Sequence, residues 1–226
     1  MQNMYDGTYA VSWSGGKDSC MALFEALNRR LKISHIVNFI SDNPQKVRFH
    51  GTDARLIHLQ SQALGIPLFQ KVTSWEEYER DFKAGVSELK PDGLRGMVFG
   101  DIYLDPHREW VERVCGEIGI EALEPLWGRD TAELLAQFIG LGFKSVIICA
   151  KAELIEQQWL GRTVDSEFMQ YLADKGIDPC GENGEYHTLV VDGPLFKQRI
   201  ELLESQAYER EGYYLLDIPQ YKLGPG

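Results

Sequence analysis

The run Tyr9-Ala10-Val11-Ser12-Trp13 breaks after Ser14 into two adjacent glycines, Gly15 and Gly16. It resumes as a helical pattern with Cys20, Phe24, Leu27 and Leu31 on one face. A short apolar run followed by that periodicity predicts a strand-loop-helix corner. Residues without Cβ let backbone come close to a ligand, and the N–H groups of a helix's first turn have no intrahelical partner. An anion is the natural occupant. The spacing excludes two familiar phosphate loops. Walker A needs a glycine five positions before its Gly-Lys pair and Ser or Thr after it, where this chain has Val11 and Asp18. The dinucleotide fingerprint separates its first two glycines, whereas Gly15 and Gly16 adjoin.

Apolar runs and helical patterns then alternate. Residues 33–40, 67–72, 97–100 and 121–126 read as strands. Helical patterns cover 52–64, the stretch after the capping box Ser74/Glu77, and the stretch opened by Asp105-Pro106 as N-cap and first helical residue. Five strand-then-helix units predict an α/β fold: a five-stranded parallel, doubly wound, Rossmann-like sheet with helices on both faces. Ligands in such sheets bind beyond the C-terminal strand ends, so loops 14–19, 41–50, 100–106 and 127–130 matter most. Beyond Gly128 the pattern changes to a helix from Asp130, a strand at 145–150, a helix at 165–175, a polar glycine-rich loop at 178–185, and further strands. The expected domains are therefore 1–128 and a smaller α+β domain, 129–226.

The 226 residues carry 23 Lys and Arg against 34 Asp and Glu, a formal charge of −11, with no basic run that would track a phosphate backbone. Broad nucleic-acid binding is disfavoured. Cys20, Cys115, Cys149 and Cys180 form no C-x-x-C pair, so reduced cytosolic thiols are the default. The N-terminus lacks a basic then apolar leader, and no apolar run approaches ~20 residues, so a cytoplasmic protein without membrane partners is expected. Oligomeric state is not legible, and a homodimer stays open.

Several side chains suit phosphate or acyl chemistry. Lys17, beside the glycines, can neutralise charge developing on a leaving phosphate. Asp18 and Asp101 can ligate Mg²⁺, which prefers oxygen, though each also fits a helix start or cap. Glu182 and Glu185, in Gly181-Glu182-Asn183-Gly184-Glu185, can orient an amine or take its proton, or can belong to an ordinary turn. His50 can meet a nucleotide base, His187 can carry a proton, and Cys180 can act as a nucleophile; each is equally compatible with a structural role.

Ser14-Gly15-Gly16-Lys17-Asp18-Ser19 matches S-G-G-x-D-S, the signature of the PP-loop ATP pyrophosphatases of the HUP type, which cleave ATP between the α and β phosphates. Phe49-His50, Gly100-Asp101, Pro125-Leu126-Trp127-Gly128-Arg129-Asp130, Trp159-Leu160-Gly161-Arg162 and 181–186 extend the likeness over nearly the whole chain. In these blocks it resembles the diphthine–ammonia ligase family. That resemblance implies an ATP-dependent, AMP-forming ligase. ATP adenylates a carboxylate, with diphthine on elongation factor 2 as the family's acceptor, and ammonia displaces AMP. It further implies ATP and Mg²⁺ as cofactors. The implied nucleotide set is Ser12, Ser14, Gly15, Gly16, Lys17, Asp18, Ser19, Phe39, His50, Gly100 and Asp101, with Glu182 and Glu185 facing the acceptor. The stretch from Tyr103 to Arg108, Asn183 in place of glycine, and His187 in place of an acidic residue depart from the family pattern. These departures bear on acceptor choice rather than on phosphate handling. Two rivals remain: a tRNA-modifying PP-loop enzyme that needs Cys180, and a module that binds ATP or AMP without turnover.

Overall fold

The computed structural model describes residues 7–41 and 53–225, so His50 and most of the loop around it lie outside the described residues. Two compact units emerge. The first takes described residues 7–14, 18–41 and 66–128, and the second takes 15–17, 53–65 and 129–225.

In the first unit, β1 (Thr8–Ser12), β2 (Ile33–Ser41), β3 (Leu68–Thr73), β4 (Leu94–Val98) and β5 (Glu121–Leu123) form one parallel sheet in the order β3-β2-β1-β4-β5. This is the expected α/β sheet. Strands covered on both faces read as unbroken apolar runs, and Tyr9, Ala10 and Val11 of central β1 are all buried. The sheet is accompanied by α1 (Lys17–Asn28), α3 (Tyr78–Glu88) and α4 (Asp105–Glu117), numbered with α2 (Ala54–Leu64) between them in the chain. Phe82 and Val86 of α3 and Val111 and Val114 of α4 join Ala10, Val37 and Met97 in one core.

Four elements depart from the expected bounds. Strand β4 starts at Leu94 and stops before Gly100, and it includes Gly96 because the Tyr9 ring lies where a Cβ would stand. Strand β5 ends at Leu123, ahead of Pro125, which has no N–H for a ladder. Ser74 Oγ does accept from the Glu77 amide at 3.2 Å, but that bond closes a turn and the helix begins only at Tyr78. Asp105 is the first residue of α4 rather than its cap.

The second unit is built on the antiparallel sheet β7-β6-β9-β8, from β6 (Lys144–Lys151), β7 (Tyr186–Asp192), β8 (Ile200–Arg210) and β9 (Tyr213–Leu223). Period-two alternation in β6 sends Ile147 to one side and Val146 and Ile148 to the other. Ile147 packs with Leu135 of α5 (Thr131–Gly140) and with Phe168 and Leu172 of α6 (Ser166–Lys175). Val146 and Ile148 pack with Leu56 and Ala63 of α2. Asp130 and Asp165 cap α5 and α6 by accepting from the Glu133 and Phe168 amides, and Gly176, at φ +65°, ends α6. The β8–β9 hairpin turns on Glu211 and Gly212, both at positive φ, a two-residue loop that matches strand twist.

Phe168 is fully buried, with the rings of Trp159 at 5.0 Å and Tyr186 at 5.1 Å. Phe168→Ala is expected to cost about 3–5 kcal/mol, read as a lowered urea midpoint.

Candidate functional site

In the second unit the corner residue Gly15 has φ +84°, and a Cβ there would stand 2.7 Å from Ile57 Cδ1 and 2.8 Å from Gln60 Oε1. The space left by the missing side chain is thus filled by α2. Gln60, with no exposed surface, donates through Nε2 to the Gly15 carbonyl at 2.9 Å and to the Val190 carbonyl at 2.7 Å. The Val190 amide donates to the same Gly15 carbonyl at 2.9 Å. Lys17, only 4% exposed, donates its backbone N–H to Thr188 Oγ1 at 3.1 Å. Its ammonium donates to the Cys180 carbonyl and lies over the Tyr186 ring, 4.9 Å from the centroid.

The loop that receives Lys17 is tightly turned. Asp178 accepts from the Cys180 and Glu182 amides through its two carboxylate oxygens, and Tyr186 donates its hydroxyl to the Pro179 carbonyl at 2.5 Å. Gly181 takes φ +69°, where a Cβ would strike the Tyr186 ring at 2.8 Å. Lys151 donates to the Asn183 carbonyl and, through its amide, to the Glu185 carbonyl, both at 2.9 Å. Glu185 is 9% exposed; its Oε1 accepts from Asn183 Nδ2 at 3.3 Å, while Oε2 is buried without a hydrogen-bond partner among the described residues. Glu182 is half-buried, and His187 stands opposite Cys149 in the β6–β7 ladder. Cys180 is buried, and its Sγ donates to the Thr131 carbonyl at 3.4 Å.

In the first unit Ser12 closes β1, and the Ser14 and Ser19 hydroxyls meet at 3.2 Å. Phe39 sits in the core against Tyr78 and Phe82, with ring centroids 5.6 and 5.7 Å away. A Cβ on Gly100 would lie 2.9 Å from the Asp18 carbonyl carbon and 3.0 Å from the Ser19 amide nitrogen, so the end of β4 backs directly onto the start of α1. Asp101 follows, with one carboxylate oxygen 3.2 Å from His107 Nδ1. Among the described residues no group of three or more His, Cys, Asp or Glu could hold a metal ion. Asp18 and Asp101 can therefore serve Mg²⁺ only if phosphate oxygens and water complete its shell, which is how nucleotide-bound magnesium is usually held.

Glu124 is not among the residues to which the sequence points. It follows β5 immediately, its side chain is 6% exposed, and its Oε1 has no hydrogen-bond partner among the described residues. Burial first, then the charges of Asp101 and Glu112, push its carboxyl up to about 7 against the lowering effect of Arg108. The one sequence signal is its place between a strand and Pro125. Gln60 and Thr188, which fix the Gly15–Lys17 corner from far along the chain, gave none.

Residues 7–122 match the family model described as the diphthamide synthase N-terminal domain, and 130–223 match the C-terminal domain of the same enzyme. The chain belongs to the diphthamide synthase family. Members similar to it include the diphthine–ammonia ligase of Mus musculus, 29% identical over 219 residues that cover 86% of this chain and 82% of the relative. That of Danio rerio is 29% identical over 212 residues, covering 83% of each. That of Homo sapiens is 28% identical over 218 residues, 85% of this chain and 82% of the relative. Both units of this diphthamide synthase family member thus carry family sequence.

Gly15→Ala combines a left-handed backbone with a blocked Cβ, so a loss of about 2 kcal/mol or more is expected in urea unfolding. Gly176→Ala, where nothing lies within 4 Å of the added methyl, supplies the backbone-only control. The Glu124 carboxyl holds its proton more tightly folded than unfolded, where the ordinary value is 4.5. The folded state therefore binds more protons between about 4.5 and 7, and stability falls as pH rises through that window. Glu124→Gln should remove about 1–3 kcal/mol of this decline, measured as the difference in unfolding free energy below and above the window.

Proposed function

We propose that this chain is an ATP-dependent amide ligase that adenylates a carboxylate, with diphthine on elongation factor 2 as acceptor, and then transfers ammonia with release of AMP. The observation that carries the reading is Lys17. Within the second unit this buried lysine of the S-G-G-K-D-S motif meets the chain beside the Gly181–Glu185 loop, through the Cys180 carbonyl and the Tyr186 ring. A phosphate corner alone would suit any nucleotide binder. A phosphate corner tied to a loop holding a buried carboxylate oxygen without a donor suits transfer to an amine. The names of the relatives, diphthine–ammonia ligases of comparable length, support the same acceptor and the same nitrogen source.

In this scheme an acceptor carboxylate oxygen attacks the α-phosphorus, and the bond to the bridging oxygen breaks so that pyrophosphate leaves with its electron pair. The Lys17 ammonium and the amides at the start of α1 offset the charge that develops. Asp18 and Asp101 would hold Mg²⁺, which when bound would supply further charge neutralisation on the phosphates. Ammonia then attacks the acyl carbon, AMP departs, and the nitrogen gives up a proton. Glu185 is assigned to orient the amine or accept that proton, with Glu182 beside it. The four cysteines, all free thiols, fit action in the cytoplasm.

The test is incubation with ATP, Mg²⁺, ammonium and the diphthine-bearing factor, which should yield AMP and pyrophosphate; ADP as product, or no turnover, overturns the reading. Asp18→Ala and Glu185→Gln are expected to lower kcat by about 100-fold or more while leaving the circular dichroism spectrum intact. Cys180→Ala keeps the backbone carbonyl that holds Lys17 and should retain turnover, whereas its loss would favour sulfur transfer.

A further inference from the structure

Beyond the C-terminal ends of β4 and β5 stands a buried carboxylate, Glu124, that the adenylation and amide-transfer steps do not use. Glu124 stands one residue beyond the last paired position of β5, Leu123 opposite Val98. Its loop is tied to the one after β4, because the Gly128 amide donates to the Ile102 carbonyl at 2.7 Å. The Glu124 side chain is more than nine-tenths buried, and Oε1 has no partner among the described residues. Oε2 lies 3.6 Å from Arg108 Nε, longer than a good ion pair. That guanidinium is already engaged, by Glu112 at 2.8 Å and by stacking over the Trp127 ring at 4.7 Å. Asp101, itself beside His107, and Glu112 add negative charge around Glu124, and Arg108 is shared between Glu112 and Glu124. A buried carboxylate oxygen left without a donor is costly, and buried charge is normally paired. Glu124 therefore wants a small positive hydrogen-bond donor.

We infer that Glu124, in the field of Asp101, is the docking residue for the ammonium ion that supplies the transferred nitrogen, and that the ion leaves one proton on the Glu124 carboxylate to go forward as ammonia with its lone pair free. This rests on the amide-ligase reading for its purpose, but not for its chemistry. Ammonium brings a positive charge and four N–H donors and asks only for acceptors. A divalent metal asks for a fuller oxygen shell, and no group of three or more His, Cys, Asp or Glu able to hold a metal ion exists among the described residues. The place is apt as well, because Gly100 sets the start of this loop against Asp18 and Ser19 of the phosphate corner.

Two measurements on the full chain test the site. Ammonium chloride should raise the thermal midpoint more than sodium chloride at equal ionic strength. Glu124→Gln should abolish that difference, and Glu124→Asp, which keeps the charge, should retain part of it. In the complete reaction Glu124→Gln should raise the KM for ammonium about tenfold or more. It should leave acceptor-dependent ATP–pyrophosphate exchange near the wild-type rate, and hydroxylamine, an uncharged nucleophile at neutral pH, should support similar turnover in both proteins. An ammonium response equal in wild type and Glu124→Gln overturns the site. So does loss of exchange with a raised Mg²⁺ requirement, which would put Glu124 in a metal shell. Wild-type protein that responds to ammonium through Glu124 yet shows no exchange overturns the ligase reading and upholds the ammonium site.

Discussion

The Gly15 carbonyl is the point on which the corner after β1 is hung. It accepts from two donors, the Gln60 side chain and the Val190 amide, and Gln60 closes the triangle by donating to the Val190 carbonyl. Each such bond contributes only about 1 kcal/mol net, but leaving any of these buried groups unpaired would cost more. The network is therefore all-or-none in character. It fixes the loop from α2 on one side and β7 on the other, and Thr188 holds the next turn by the Lys17 amide.

Much of this was legible in the sequence, because periodicity and punctuation are local. The parallel sheet followed from five alternating units, and the left-handed stops at Gly65 and Gly176 followed from glycines after apolar faces. The long-range pairings were hidden. Two adjacent glycines suggest room for a ligand, yet the space at Gly15 belongs to Ile57 and Gln60. Nothing near Gln60 or Thr188 in the chain marks them as partners of the corner. Glu124 escaped notice because one glutamate after a strand is ordinary until its burial is known. The Glu182 and Glu185 pair was visible as a motif, but only the fold distinguishes them, one half-buried and the other holding a buried oxygen without a donor.

The carboxylates sort themselves by their partners. Glu79 is gripped by Arg113 at 2.6 Å, by Lys83 at 2.6 Å and by the Trp110 indole at 3.1 Å, which holds its carboxyl far below the usual range. Glu117 closes the same exposed network through Lys83 and Arg113. Such groups are satisfied and contribute modestly to stability. Glu124 and Glu185 are the reverse case, shielded from water with an oxygen left over. In a chain with net charge −11, unmet acceptors of this kind point to chemistry better than the abundance of acid does.

Helix α2 lies in the chain between two strands of the first sheet but packs its Leu56 and Ala63 on Val146, Ile148 and Leu189 of the second. A fragment that starts at Arg129 would carry that sheet with one apolar face stripped of the α2 cover and without Gln60, which donates to the Val190 carbonyl of β7. The C-terminal half is therefore not a portable module. Insertions, fusions or gene splits that part residues 53–65 from the chain beyond Arg129 would disrupt its packing and the hydrogen bonds that clasp Gly15 together, so the two stretches have to be inherited as one.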